Sequence, residues 1–485
     1  MKPLIIIYGS TGTGKSDLAV ELALRFNGEI INADAMQMYR GLPVITNKLT
    51  VEEQRGIPHH LLGSIELDEE PWTVAHFKRD ATRIIDEIRA RGKLPIVVGG
   101  TSYYLDSLLF EGKLVEDNDD PEGKLWSRDL AARYPILTAP TEEVLAKLRE
   151  VDPVMAAKWH PNDDRKIRHS LEIYYATGRR ASEIYEEQRN RKLQAKSGTN
   201  GSNGAPELEI GEVLLFWLYA HQEELKERLA QRVDKMVERG LLDEVSEMYD
   251  YLQSRLSACE TVDRTKGIWQ SIGFRQFEPY LSTLRQNPSD PNLEKLKQAG
   301  IEETKIATRQ YAKTQVRWVT MKTITSLQEE NLLDRFYLLD STDISRWHDE
   351  VLNKGVDLAA KFLACKPLPK PEEVSDTARQ VLAEKVARAG KKDTPCHKVC
   401  ELCNKTLVTE ELWQKHIKGR KHTNAVRSAK RRALIPAHLA PTRAVVVVEN
   451  GNKDDESKEE ESAAPDAASE SETAIPAVTT AESPA

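Results

Sequence analysis

Gly9-Ser10-Thr11-Gly12-Thr13-Gly14-Lys15-Ser16 satisfies the pattern G-x-x-x-x-G-K-[ST] in full. Glycines at this spacing let backbone N–H groups converge on phosphate oxygens. The helix that follows adds partial positive charge, Lys15 adds a full one, and the Ser16 hydroxyl can sit on Mg2+. Such a loop recognises a phosphate chain rather than a nucleoside, so a kinase or ATPase is the default chemistry. Those enzymes place an Asp at the end of a second strand to hold Mg2+. Here the apolar run Leu94–Val98 ends in Gly99-Gly100 instead, which leaves Asp34 and Asp340, each closing another apolar run, as candidate acids. Asp34 lies in a second candidate segment, Asn32–Leu42. A carboxylate there can coordinate Mg2+, act as a general base or simply cap the next helix. Gln37 in the same segment offers a donor and an acceptor to a base edge.

Near the other end, Cys400-x2-Cys403, twelve residues and His416-x5-His422 match the spacing of a zinc finger. Two thiolates and two imidazoles complete a tetrahedral Zn2+ site. The expected geometry puts the Cys pair on a hairpin and the His pair on one helix with Leu412, Trp413 and Ile417 inward. Cys396 is an alternative ligand that breaks the two-residue spacing. The finger carries Lys415, Lys418, Arg420, Lys421, Arg427, Lys430, Arg431 and Arg432. Its long His–His spacing looks like fingers that read RNA helices by shape, and its charge predicts salt-dependent binding to phosphate backbone. Lys430-Arg431-Arg432 reads equally as a nuclear import signal. The adjacent His59-His60 pair reads as structural, because neighbouring residues rarely face one ligand.

The elements that must position these groups are legible as periodicity. Leu4–Tyr8, Glu29–Ala33, Leu94–Val98, Val213–Tyr219 and Phe336–Leu339 read as buried parallel strands. Lys15–Phe26, Trp72–Arg91, Gln222–Arg239 and Leu293–Thr320 read as amphipathic helices. Strand and helix alternate, which predicts an α/β fold: a P-loop NTPase-like parallel sheet. Residues 116–208 lack a convincing strand and read as a helical insertion, ending in the Gly/Ser/Asn-rich stretch 197–204. The expected organisation is a catalytic core over 1–115 and 209–365 and the insertion over 116–208. A linker over 366–395, a finger over 396–432 and a disordered acidic tail over 433–485 follow.

Composition supports this division. The 485 residues carry a net charge of −8, which argues against a uniformly basic nucleic-acid coat. The average hides a segment from Arg379 to Arg432 with 15 Lys and Arg against 5 acids, and one from Glu449 onward with 2 against 11. Five cysteines, three of them within eight residues, suit a metal site in a reducing compartment better than a disulfide framework. No apolar run is long enough to span a bilayer, and no leader is expected, because the first strand runs straight into the phosphate-loop motif. The expected location is therefore the cytoplasm, with the nucleus open through the basic run and a mitochondrial form also left open. At this level two functions remain, a nucleotide or small-molecule kinase with an RNA-binding appendage and a non-enzymatic RNA-binding protein whose loop senses nucleotide; a third comes from the resemblance that follows.

Several ordered motifs together resemble the tRNA dimethylallyltransferase (tRNA isopentenyltransferase) family. They are the loop Gly9–Ser16, the run Asn32–Leu42, Pro58–Leu62 and Gly99–Leu105. His160–Arg168, Arg232 within Arg228–Val233 and Thr308–Lys313 follow in the same order. The finger resembles that of eukaryotic members. The resemblance implies that Gly9–Ser16 (Gly9, Ser10, Thr11, Gly12, Thr13, Gly14, Lys15, Ser16) grips the diphosphate of dimethylallyl diphosphate. Lys15, Arg232 and Ser16 with Mg2+ would stabilise it as leaving group. Asp34 would take a proton from the exocyclic amine of the adenosine just 3′ of a tRNA anticodon, with Thr101 near the reacting end. It implies tRNA contacts at Asp34, Ala35, Met36 and Gln37, and at Arg165, Lys166, Ile167, Arg168 and His169. Structural Zn2+ would sit on Cys400, Cys403, His416 and His422. The partners implied are the tRNA anticodon stem-loop and dimethylallyl diphosphate, with no membrane, and the protein is expected to be a monomer. Two departures stand out: Gly-Ser-Thr replaces the Gly-Pro-Thr of many members, and His59-His60 follows Ile57-Pro58 rather than an acid and Pro.

Overall fold

Six short strands pair side by side in the computed structural model, which describes residues 2–69, 71–110, 129–196, 213–260, 262–389 and 394–433. They are β1 (Leu4–Gly9), β2 (Gly28–Asn32), β3 (His59–His60), β4 (Leu94–Val98), β5 (Val213–Tyr219) and β6 (Phe336–Asp340). All pairings are parallel, in the order β3-β2-β4-β1-β5-β6. Because both faces are covered, the strands are apolar throughout rather than alternating. Leu4, Ile6, Tyr8, Val97, Leu215 and Trp217 face one core. Ile5, Ile7, Ile96, Val98, Leu214 and Phe216 face the other. The α/β class expected from the periodicity is what the chain adopts. The two-residue strand β3 has too few residues to show a period.

The chain divides into two compact units, one built from the described residues up to Asp129 and those of Ile184–Lys391, the other from Leu130–Glu183 with the described residues 394–433. In the first, β1 runs into helix α1 (Lys15–Arg25). Helix α2 (Val74–Ala90) starts at a Thr73 capping box and buries Phe77, Ala81, Ile84, Ile85 and Ile88. Helix α3 (Ser102–Leu109) follows β4, α4 (Gln222–Glu238) follows β5, and the 26-residue α5 (Leu293–Trp318) runs past the sheet. Asp106 of α3 is fully buried. It accepts hydrogen bonds from Tyr8, Trp318 and Thr323, so that α5 is tied to β1 and α3.

The stretch 366–395, expected as a linker, contains a helix among its described residues. Helix α6 (Asp376–Ala389) buries Ala378, Val381 and Leu382 in the same core as Trp217 and Phe336. Thr377 Oγ1 donates to Asp340 Oδ2 at 2.6 Å and fixes it there. The spacing of those apolar residues carried the signal, but the prolines before them dominate the local composition.

In the second unit, helices Thr141–Val151, Pro153–Lys158 and Asp164–Thr177 bury Val144, Leu148, Met155, Ile167 and Leu171. The fully buried Asp152 accepts from the Met155 and Ser182 amides. The finger consists of hairpin β7 (Pro395–Cys400) and β8 (Lys405–Thr409) with helices α7 (Glu410–Lys418) and α8 (Arg420–Ala433). His160 Nε2 lies 3.1 Å from the Thr406 carbonyl oxygen, joining the helices to the finger within this unit. The stretch 197–204 and the acidic tail lie outside the described residues.

Candidate active site

In parallel α/β sheets ligands bind beyond the carboxyl ends of the strands. At that edge the loop after β1, the segment after β2 and the Gly-Gly turn after β4 converge on one cavity of about 280 Å³. Its walls include Thr11, Gly12, Gly14, Lys15, Ser16, Asp34, Met36, Gln37 and Arg232. These nine residues, all singled out from the sequence for chemistry, therefore meet in one place.

The loop is held in shape from several sides. Gly12 and Gly14 sit at φ 81° and 79°, in the left-handed region that favours glycine. Thr13 Oγ1 and Lys15 Nζ both donate to the Ser10 carbonyl, at 2.9 and 2.6 Å. Arg228, on α4, donates to the carbonyls of Gly12, Ser341 and Thr342 and clamps the loop from outside. Ser10 and Thr13 are buried, so they shape the loop rather than touch a ligand with their side chains.

Of the three roles open to Asp34 in sequence, capping a helix is not the one it takes. Its Oδ1 accepts from the Met36 amide at 3.1 Å, which caps a turn rather than a helix. Its Oδ2 faces Gly100: a methyl there would sit 3.3 Å from that oxygen and 2.3 Å from Gln315 Nε2. Gly99 is tighter still, since a methyl would lie 2.1 Å from the Ala33 carbonyl oxygen. The glycine pair stands where a kinase would carry its second acid because the β2 and β4 exits touch there. The other candidate, Asp340, is a structural residue. Its Oδ1 accepts from the Thr342 amide at 2.9 Å, and Thr377 takes its other oxygen.

Charges inside the cavity shift one another. Burial pulls Lys15 down to about 8, against Asp34, which favours its charged form, and with Arg232, which opposes it. Burial pushes Asp34 up, opposed first by Lys15 and then by the Met36 and Gln37 amides. Lys48, which donates to the Tyr39 and Gly41 carbonyls, is likewise drawn down to about 8 by burial. Tyr311 is raised by burial and by Asp34, so it remains a neutral hydroxyl hydrogen-bonded with Thr101 and Gln315. Thr101 Oγ1 also accepts from the Ala35 amide at 3.3 Å, which puts it beside the Asp34 segment.

Thr304 and Gln315 escaped the sequence reading, and Thr308 and Tyr311 entered it only within the motif Thr308–Lys313, without a role. Thr304, Thr308 and Tyr311 of α5 line the cavity, and Gln315 stands behind its wall. Their spacing of three and four is a polar stripe on one helix face, a signal that was available. His60 is structural as expected: its Nε2 lies 2.7 Å from Glu29 Oε2, which also meets Arg91, while Lys93 pairs with Glu29 Oε1. His59 lines the cavity while its Nδ1 meets the Ile57 carbonyl at 2.8 Å.

The other expected RNA contacts lie in the second unit. Ile167 is fully buried, so its side chain packs the helices instead of reaching a ligand. Arg168 is engaged by Asp164 and by the Leu137 and Ala139 carbonyls. Lys166 pairs with Asp163 at 2.6 Å, and His169 lies 3.4 Å from Glu172. Arg165 is the exposed cation of the segment. Gln37 donates its amide to the Thr46 and Asn47 carbonyls, leaving its carbonyl oxygen as the group it can offer.

The ligand atoms of Cys400, Cys403, His416 and His422 all lie within 4.8 Å of one another, the one such grouping among the described residues. His416 Nε2 is buried without a hydrogen-bond partner, and His422 Nδ1 lies 3.5 and 3.6 Å from the two sulfurs. Two thiols and two imidazole nitrogens in this arrangement fit structural Zn2+. The histidines sit on two helices, not one. Six positions apart on a continuous helix they would face different ways, and the extended backbone at Gly419 turns the second back. Cys396 stands apart, with its sulfur 3.7 Å from the Leu407 carbonyl oxygen.

Comparison with known proteins agrees with this geometry. The family described as IPP transferase matches residues 37–322, and the zinc-finger double-stranded RNA-binding family matches residues 397–422. The chain is 40% identical to the tRNA dimethylallyltransferase of Schizosaccharomyces pombe over 456 residues, covering 89% of this chain and 97% of that one. It is 34% identical to the human tRNA dimethylallyltransferase, covering 88% and 87%. A solved structure of a eukaryotic dimethylallyltransferase acting on tRNA superposes with a TM-score of 0.71 at 33% identity, covering 89% of this chain and 98% of that one.

Proposed function

The chain belongs to the IPP transferase family, and on that premise we propose that it transfers a dimethylallyl group from dimethylallyl diphosphate to a tRNA adenosine. The acceptor is the exocyclic N6 amine of the adenosine 3′ of the anticodon, and the products are N6-isopentenyladenosine and diphosphate. The observation that carries the reading is that Asp34 and the Lys15 loop line one cavity, with glycines where a kinase would have its second acid.

Each residue then has a definite task. The free amides of Thr13–Ser16, with Lys15 and Arg232, hold the diphosphate and stabilise the charge that grows as the carbon–oxygen bond breaks. N6 is a weak nucleophile because its lone pair is delocalised into the ring. Asp34 accepts the N6 proton as the new nitrogen–carbon bond forms, and the electron pair of the broken bond leaves with diphosphate. Thr101 and Tyr311 present neutral hydroxyls beside that acid. Mg2+ would be held by the Ser16 hydroxyl together with diphosphate oxygens and would add positive charge at the leaving group, a mode that suits an ion that keeps most of its own waters. A single-stranded anticodon loop allows the target base to be turned out into such a cavity. The basic finger and Arg165 supply backbone contacts.

Among the described residues no helix is long and apolar enough to cross a membrane, in keeping with a substrate in the aqueous phase. The test is incubation with unmodified tRNA and dimethylallyl diphosphate, followed by nucleoside mass analysis. One isopentenyl unit gained on adenosine, without ATP consumption, is the expected result. An unchanged adenosine, or phosphate transfer from ATP, rejects the reading.

A further inference from the structure

Gln315 reaches from α5 into the phosphate loop and makes two bonds there. Its Oε1 accepts from the Thr11 amide at 2.8 Å, and its Nε2 donates to the Gly100 carbonyl at 2.9 Å. The amide orientation is dictated by the partners, since the first is a donor and the second an acceptor. Gln315 is buried, and the absence of a Cβ on Gly100 makes room for it.

The position of this bond matters more than its strength. Lys15 Nζ marks the far reach of the loop's charge, and it donates to the Ser10 carbonyl. That carbonyl belongs to the same peptide unit as the Thr11 amide. Both ends of the Ser10–Thr11 peptide are thus engaged, one by the lysine and one by Gln315. Among the described residues no side chain takes the amides of Thr13, Gly14, Lys15 or Ser16, which remain for an anion. A phosphate chain that continued past Lys15 would come to Thr11. It would find there no free N–H, because the Gln315 carbonyl oxygen takes it, and that oxygen repels a phosphoryl oxygen whereas an uncharged hydrocarbon is indifferent to it.

We propose that Gln315 sets the length of anion that the loop accepts, by capping the Thr11 amide so that two phosphoryl groups fit and a third does not. The inference rests on the reading of the loop as a diphosphate cradle and deepens it. It names the residue that separates a prenyl-diphosphate loop from a triphosphate loop of the same sequence pattern.

The experiment compares binding of inorganic diphosphate and inorganic tripolyphosphate to the full-length protein by calorimetry at fixed Mg2+. The native protein should prefer diphosphate by about tenfold or more, the worth of one missing hydrogen bond and one repulsive approach. Gln315→Leu, which keeps the bulk and removes the carbonyl, should narrow that ratio by about tenfold, chiefly through tighter tripolyphosphate binding. Gln315→Glu, which keeps an acceptor near Thr11, should retain the preference. Equal affinity of the native protein for the two anions overturns the proposal without any variant. An unchanged ratio in Gln315→Leu with a native melting curve overturns it too. Failure of both anions to bind the native protein rejects the diphosphate cradle itself and the proposal with it, and is distinguished from the other outcomes by the absence of any binding heat.

Discussion

Asp34 and Lys15 line the same cavity, and each holds the other closer to its charged form than burial alone would leave it. Desolvation raises the acid and lowers the amine, and their mutual attraction answers only part of both shifts. The acid is thereby shifted up and the amine down, toward each other, in a site that needs both a base and a phosphate-binding cation.

The pH dependence follows with definite signs. Asp34 works as a base only when deprotonated, so kcat/KM should rise with pH through a value above the usual carboxylate range. Lys15 holds an anion only when protonated, so kcat/KM should fall again near the value of about 8 in the free protein. Bound diphosphate favours the charged lysine, so the alkaline limb of kcat alone should lie higher. Lys15→Arg should remove that limb altogether, because a guanidinium stays charged throughout the range. Initial-rate profiles of the two forms measure this; identical alkaline limbs would assign the fall to another group.

Replacing Asp34 by Asn should lower kcat by about 10²- to 10⁴-fold, the usual worth of a positioned general base. The donor should bind the variant at least as tightly, because a negative charge has left the neighbourhood of Lys15. Single-turnover rates and calorimetry with dimethylallyl diphosphate separate the two effects. Undiminished turnover removes Asp34 from its role.

Gly100→Ala tests the crowded meeting of the Asp34 and Gln315 side chains. A methyl 2.3 Å from Gln315 Nε2 must displace that amide. The expected cost is about 10²-fold in kcat from misplacement of about an ångström, with the fold retained. Combining it with Gln315→Ala should cost less than the two losses added together, because both act on one interaction. Strict additivity would show that the glycine serves something else.

The finger can be switched off by metal. Chelation of Zn2+, or Cys403→Ser, should unfold the hairpin-and-helix module. The KM for tRNA should then rise more than kcat falls. The dependence of tRNA affinity on salt should become shallower, by about one unit of slope for each phosphate that the finger no longer neutralises. Filter binding at several salt concentrations reads this directly; an unchanged slope would take the finger out of RNA binding.

Glu29 offers a stability test away from the site. Burial would raise it, but Lys93, Arg91 and His60 pull it down to about 2. A carboxyl lowered on folding adds stability above its unfolded value and loses it as pH falls through the folded one. Glu29→Gln should therefore cost about 2 kcal/mol at neutral pH, at the low end for a buried pair because its partners are partly exposed. The gap should shrink steadily below about pH 4. Urea melts across that range decide it.

The strands, the phosphate loop and the Cys/His set were legible because each is a local pattern: a run, a spacing, a motif. The role of Gln315 was not, because it joins residues 304 positions apart. Nor was the difference between Arg165 and Ile167, two residues of one polar-looking run of which only the second faces a core. Helix α6 was hidden by the prolines before it, and the break at Gly419 by a spacing that looks continuous in one dimension. Non-local packing decided each of these, and a single sequence carries no record of it.

The account stands on where two groups lie when both substrates are present. A structure of the protein with a non-reacting dimethylallyl diphosphate analogue and an unmodified anticodon stem-loop measures that directly. The phosphates should rest on the amides of Thr13–Ser16, and the adenine N6 should lie about 3 Å from the Asp34 carboxylate. Phosphates bound away from that loop, or an N6 beyond the reach of Asp34, would contradict it.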